Sequence, residues 1–138
     1  MVSERNSLGI HWRDWLTANL KEAALLAAES GDWRPDGGPP PLRCLETVLK
    51  RRCPDPAALP IDAGDIFLAV GMALGQHIVE RSALHWELKG PDYRVHVALC
   101  DSAGTEVFDP VSAVGESISR GEHDFLTALY NEFAASSA

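Results

Sequence analysis

A chain of 138 residues is one domain by size, and its 46% apolar and 23% charged content is that of an ordinary globular protein, which excludes a disordered chain. Its net charge of −8 argues against nucleic-acid binding, which needs a basic footprint to displace counterions from phosphates, and would favour a basic protein partner. The polar lead Ser3-Glu4-Arg5-Asn6 has no apolar core of a signal peptide, and no run approaches the roughly 20 residues of a membrane span, so a cytoplasmic protein without a membrane role is expected.

In chain order, Leu8, Trp12, Trp15, Leu16, Leu20, Ala23 and Ala27 recur at helical spacing. They predict a helix from Leu8 to Glu29 with Ser7 as its N-cap, stopped by Ser30-Gly31, and they put Trp12 and Trp15 in the core. The Pro- and Gly-rich stretch Asp32 to Pro41 is a surface loop. Pro41 suits the first position of a second helix, whose stripe is Leu42, Leu45, Val48 and Leu49. Lys50, Arg51 and Arg52 complement its carbonyl end, and Pro54 stops it.

After a loop to Ile61, Asp62 and Asp65 resemble a variant capping box at the start of a central helix that runs to Arg81 or Ser82. From Ile66 to Gly75 that helix has no charged or hydrogen-bonding side chain, and a helix apolar all round belongs inside a core. Gly71 and Gly75 let another element approach its backbone. The helix turns polar at Gln76, His77, Glu80 and Arg81.

Leu84 to Lys89 and Tyr93 to Leu99 each alternate with period two, joined through Gly90, Pro91 and Asp92. With Pro91 and Asp92 as the loop, Leu88 faces Val95, Trp86 faces Val97, Leu84 faces Leu99, and Glu87 sits opposite His96. A three-residue turn, Ser102-Ala103-Gly104, returns the chain through Thr105 to Phe108. The expected meander carries Leu84, Trp86, Leu88, Val95, Val97, Leu99 and Val107 on the face toward the central helix. Asp109-Pro110 then starts a short helix with the stripe Val111, Val114 and Ile118, ended by Gly121. A last helix over Glu122 to Ala135 carries Phe125, Leu126, Leu129, Tyr130 and Phe133.

The fold class that follows is α+β, a single domain over 1–138. An N-terminal helical part (1–60) precedes a helix–meander–helix part (61–138) in which the central helix packs on a three-stranded antiparallel sheet.

Chemistry is sparse. Cys44, Cys53 and Cys100 form no CxxC pair and read as free structural thiols of a reducing compartment. No nucleophile elbow, phosphate loop or HExxH occurs. The carboxylate pairs Asp62/Asp65 and Glu122/Asp124 fall at helix starts, where capping explains them. No cofactor and no metal is expected, and no catalytic residue stands out.

The outer face of the meander remains, with His85, Glu87, Lys89, Arg94, His96, Cys100 and Glu106. One side of an antiparallel sheet commonly faces water. As a binding surface it would use His85, Glu87, Arg94, His96 and Glu106, in a non-catalytic interaction module. The alternative is a small metal- or small-molecule-binding enzyme using His77, Glu80, His85 and His96. The chain is expected to be a monomer, or a homodimer through Trp12, Trp15 or Phe133.

The run LAVGMALGQHIVERSALHW, the charged hairpin and then VFDPVSAVGESISRGE resemble a bacterial domain-of-unknown-function family. That family has an LGxxLGxxIV-like helix and a Trp opening the first strand. A Phe-Pro or Asp-Pro step then leads into a short helix with an Arg-Gly-Glu-like exit. The matching residues are Gly71, Gly75, Ile78, Val79, Trp86, Phe108, Pro110, Arg120, Gly121 and Glu122, with Asp109 inserted in the Phe-Pro step. The likeness spans about half the chain and leaves out its N-terminal third. It implies the fold and no reaction; by analogy, some small bacterial domains of this kind serve as immunity or accessory proteins.

Overall fold

In the computed structural model, the backbone is described for residues 2–30, 33–34, 38–91 and 96–136, and side chains for 12–30, 33–34, 38–91 and 96–134. The central helix α3 (Ala63–Arg81) is the element on which the others converge. Every residue from Ala69 to Gly75 is buried, as an all-apolar surface requires. Around it pack α1 (Val2–Ser30), α2 (Leu42–Arg52), α4 (Pro110–Ser119) and α5 (Leu126–Ser136). The α+β class is as expected.

Two glycines set how closely these neighbours approach. A Cβ on Gly71 would lie 2.7 Å from Val111 Cα, so α4 rests on the bare backbone of α3. One turn later a Cβ on Gly75 would lie 2.6 Å from Trp86 Cζ2, where the ring of the first strand presses on the same helix.

The sheet has the order β1-β2-β3, with β1 (His85–Lys89), β2 (His96–Cys100) and β3 (Glu106–Phe108) antiparallel. Of the expected inward face, Leu84, Val97 and Leu99 are buried and Trp86 and Leu88 partly so, but the pairing is not the expected one. Trp86 lies opposite Leu99 and Leu88 opposite Val97, a slip of two residues from the expected register, and Glu87 faces Ala98 instead of His96. A two-residue slip keeps every side chain on its face, so the hydrophobic pattern cannot distinguish the two; only a one-residue slip is excluded by it. Tyr93 to Val95 of the expected strand lie outside the described residues.

A second difference lies in β3. The register shifts between Leu99 and Cys100, so that Leu99 meets Phe108 and Cys100 meets Glu106. The irregularity leaves Val107 41% exposed and turns Phe108 into the core, where it stacks on Phe133 at 4.1 Å. The turn before it forms as expected: Gly104 has φ +81°, and the Asp101 and Thr105 backbones pair across it.

Helix ends show which punctuation the chain obeys. Asp109 caps α4 by accepting from Ser112 N, with Pro110 at the first position. Gly121, at φ +80°, closes it with bonds from Gly121 N to Ile118 O and from Glu122 N to Ser117 O, a Schellman ending. Pro41 stands one place earlier than expected, as the N-cap of α2. Asp62 makes no capping bond; its carboxylate takes Arg52 at 3.1 Å, a partner that no local pattern reveals.

Helix α1 begins at Val2, so Ser7 lies inside it and not at its cap. Its described fully buried residues are Ala23, Leu26, Ala27 and Ser30, all in the C-terminal part. Trp15 is 40% exposed and not in the core. At 1.5 Å per residue the 29 residues of α1 run about 43 Å against about 28 Å for the 19 of α3, so the stripe continues past the surface that could bury it. Helix α5 begins at Leu126, four residues later than the apolar spacing suggests. Glu122 pairs with Arg120 and Asp124 with Lys50, so neither caps it. Among the described residues no helix is long and apolar enough to cross a membrane.

Candidate functional site

The outer face of the sheet carries the ionisable side chains that the sequence singles out, rearranged by the true register. On β1, His85 Nε2 lies 2.5 Å from Glu87 Oε2, a pair within one strand. Lys89 sits 3.6 Å from the other Glu87 oxygen and donates to Gly104 O at 2.5 Å, tying β1 to the β2–β3 turn. On the far side, His96 Nε2 meets Glu106 Oε1 at 2.8 Å and Asp109 Oδ2 at 4.0 Å. The expected Glu87–His96 pair is thus replaced by two separate imidazole–carboxylate pairs, one at each end of the face.

Between the pairs, Ala98 and Cys100 occupy the outward positions of β2, yet both are fully buried. Burial pushes the Cys100 thiol up, and the neighbouring Glu87 carboxylate adds to the effect. Such a thiol is protonated and shielded, the opposite of an activated nucleophile. Cys53 is in the same state, first through burial and then through Asp62. All three cysteines are free.

Arg94, the remaining residue expected on this face, lies outside the described residues. Lys89, placed on this face but left out of the binding set, belongs to the site through its bond to the turn, a tertiary contact; Asp109 was not singled out because its role as a helix cap already accounts for it. On the described face the carboxylates Glu87, Asp101, Glu106 and Asp109 stand against Lys89, so its field is negative wherever the histidines are neutral.

The alternative constellation does not assemble. His77 Nε2 binds the carbonyl of Pro40 at 2.6 Å, and its ring meets Tyr130 edge-on, so it ties the proline loop to α3. Glu80 accepts from Gln76 Nε2 at 3.1 Å, and Gln76 Oε1 accepts from Trp86 Nε1 at 3.0 Å. His85 and His96 are held in their own pairs. Among the described residues no three His, Cys, Asp or Glu side chains converge as metal ligands would.

A cleft of about 270 Å³ also opens between α1 and the start of α3, lined by Asn19, Glu22, Arg52, Asp62 and Asp65 over Leu26 and Ile66. Arg52 spans it, reaching Asp62 at 3.1 Å and Glu29 at 3.7 Å. Arg52 and Asp62 thus satisfy each other.

Residues 49–130 match the family described as Domain of unknown function (DUF3806). The matched stretch runs from the end of α2 to the first turns of α5, and so contains α3, the whole sheet and α4. No curated protein and no solved structure matches the chain.

Proposed function

The chain belongs to the DUF3806 family, and from that premise we propose that it is a non-catalytic protein–protein interaction module of the bacterial cytoplasm. It would act in the manner of an immunity or adaptor protein, gripping a basic partner with the outer face of its sheet. The observation that carries this reading is the pair of imidazole–carboxylate contacts, His85–Glu87 and His96–Glu106, mounted on rigid strands within an excess of carboxylates. Charges fixed on strands steer a basic partner and set its orientation without ordering costs at the moment of binding.

Three further observations favour binding over catalysis and the cytoplasm over an oxidising compartment. Each described histidine of the alternative site already holds a structural partner. The Cys53 and Cys100 thiols are pushed away from ionisation. All three thiols are unpaired, as reducing conditions maintain them.

Affinity capture from the native host, read by quantitative mass spectrometry, tests the reading. Glu106→Lys reverses a charge on the exposed end of the face and should remove the partner from the captured set with the melting temperature unchanged. A partner retained by Glu106→Lys, or no partner enriched by the wild type, overturns it.

A further inference from the structure

The two edges of the sheet differ. β3 has three residues and a register irregularity beside it, features that discourage another strand from pairing. β1 has five residues in unbroken register with β2 and contains no proline. Among the described residues no other element runs alongside β1, and its backbone bonds only to β2. Half of its N–H and C=O groups therefore point away from the sheet. An open, regular edge of this length is a template for a further strand.

The sequence of that edge says which strand fits it. In an antiparallel pairing of β1 with a second copy of itself, a two-fold axis passes through one residue; centring on His85 or Lys89 sets like side chains against each other and engages only one end of the strand, which leaves three central placements. Centred on Glu87, the pairing sets Glu87 against Glu87 and His85 against Lys89, which is repulsive. Centred on Leu88, it runs into Gly90, whose φ of +92° is not that of a strand, and into Pro91, which has no N–H to donate. Centred on Trp86, it sets His85 against Glu87 of the second copy twice, on the outer face. On the inner face it sets Trp86 against Trp86 and Leu84 against Leu88. Trp86 and Leu88 are only partly buried in the single chain, so this pairing covers apolar surface as well.

We propose that the protein forms a two-fold homodimer through β1, joining two sheets into one six-stranded antiparallel sheet in the register that sets His85 of one copy opposite Glu87 of the other. The interface is isologous, and the two-fold closes it so that no open edge of β1 remains. The occupant is a second copy because the edge is complementary to itself in charge and in apolar pattern. The proposal shares His85 and Glu87 with the partner surface above but is tested apart from it, since the residue tested there, Glu106, lies on the opposite edge strand.

A charge-exchange experiment tests it. Glu87→Lys sets lysine against His85, and His85→Glu sets glutamate against Glu87, so each variant should be monomeric by sedimentation where the wild type is dimeric. Mixing the two variants again sets an imidazole against a carboxylate (His85 against Glu87) and the introduced lysine against the introduced glutamate, and a heterodimer should reappear. Both sites are on the solvent side of the sheet, and circular dichroism confirms folding. Hydrogen exchange of the β1 amides in unmodified protein gives a second reading, with protection that rises with concentration. A wild type that stays monomeric at the highest soluble concentration overturns the proposal. So does a dimer that survives both substitutions, a mixture that fails to associate, or β1 exchange independent of concentration.

Discussion

Glycines of one helix have opposite values depending on what stands beside them. Gly71 faces the backbone of Val111, which cannot yield without moving α4, whereas Gly75 faces a tryptophan ring that can turn at the cost of its bond to Gln76. Alanine at either position overpacks a filled core, so a loss of about 1–3 kcal/mol is expected, larger for Gly71→Ala than for Gly75→Ala. Gly64, also in α3, has nothing within 4 Å of the place a Cβ would take, and Gly64→Ala should raise stability by about 0.4–1 kcal/mol through lower unfolded-state entropy. Urea denaturation of the three variants checks both signs. The spacing of Gly71 and Gly75 announces close approach, but not which of the two meets a backbone.

At the scale of the element, the starts of α4 and α5 are built differently, and only one is written locally. Asp109-Pro110 is readable from sequence because cap and helix are adjacent, and Asp109→Ala should cost about 0.5–2 kcal/mol. The start of α5, at Leu126 and Thr127, instead lies beside the Glu46 carboxyl, which is some eighty positions away on α2. Burial pushes the Glu46 carboxyl above its usual value of 4.5, and Asp124 adds repulsion, against the two N–H donors and Lys50. In the window between 4.5 and the raised value the folded chain holds more protons than the unfolded one. This group's contribution to stability is therefore fully present at low pH and is lost as pH rises through that window. Glu46→Gln removes the titration, so its stability relative to wild type should rise from acid to neutral pH. A difference that stays constant in parallel urea series would contradict the assignment.

For the molecule as a whole, the acidic excess acts over distances that single contacts do not. If the outer face steers a basic partner, association should slow steeply with added salt while dissociation changes little, since screening acts on encounter between exposed charges. Stopped-flow association with the captured partner measures this, and a salt-independent rate would speak against the surface. The site itself was half legible. Alternation places His85, Glu87, His96 and Glu106 on one face, and all four are there. Their pairing was not legible, because a slip of two residues preserves that alternation and because the His96–Glu106 contact spans strands joined through a turn.

The amino-acid sequence by itself determined the elements and their inward faces: the all-apolar centre of α3, the alternation of the strands, the Asp-Pro start and glycine end of α4. These follow from periodicity and from backbone restrictions that act over a few residues. Tertiary structure alone decided the strand register, the turn of Phe108 into the core in place of Val107, the exposure of Trp15, the placing of Glu46 beside the start of α5, and the ion pair that Asp62 makes. Each of these depends on what another part of the chain places nearby, and a local pattern compatible with two such neighbours cannot choose between them.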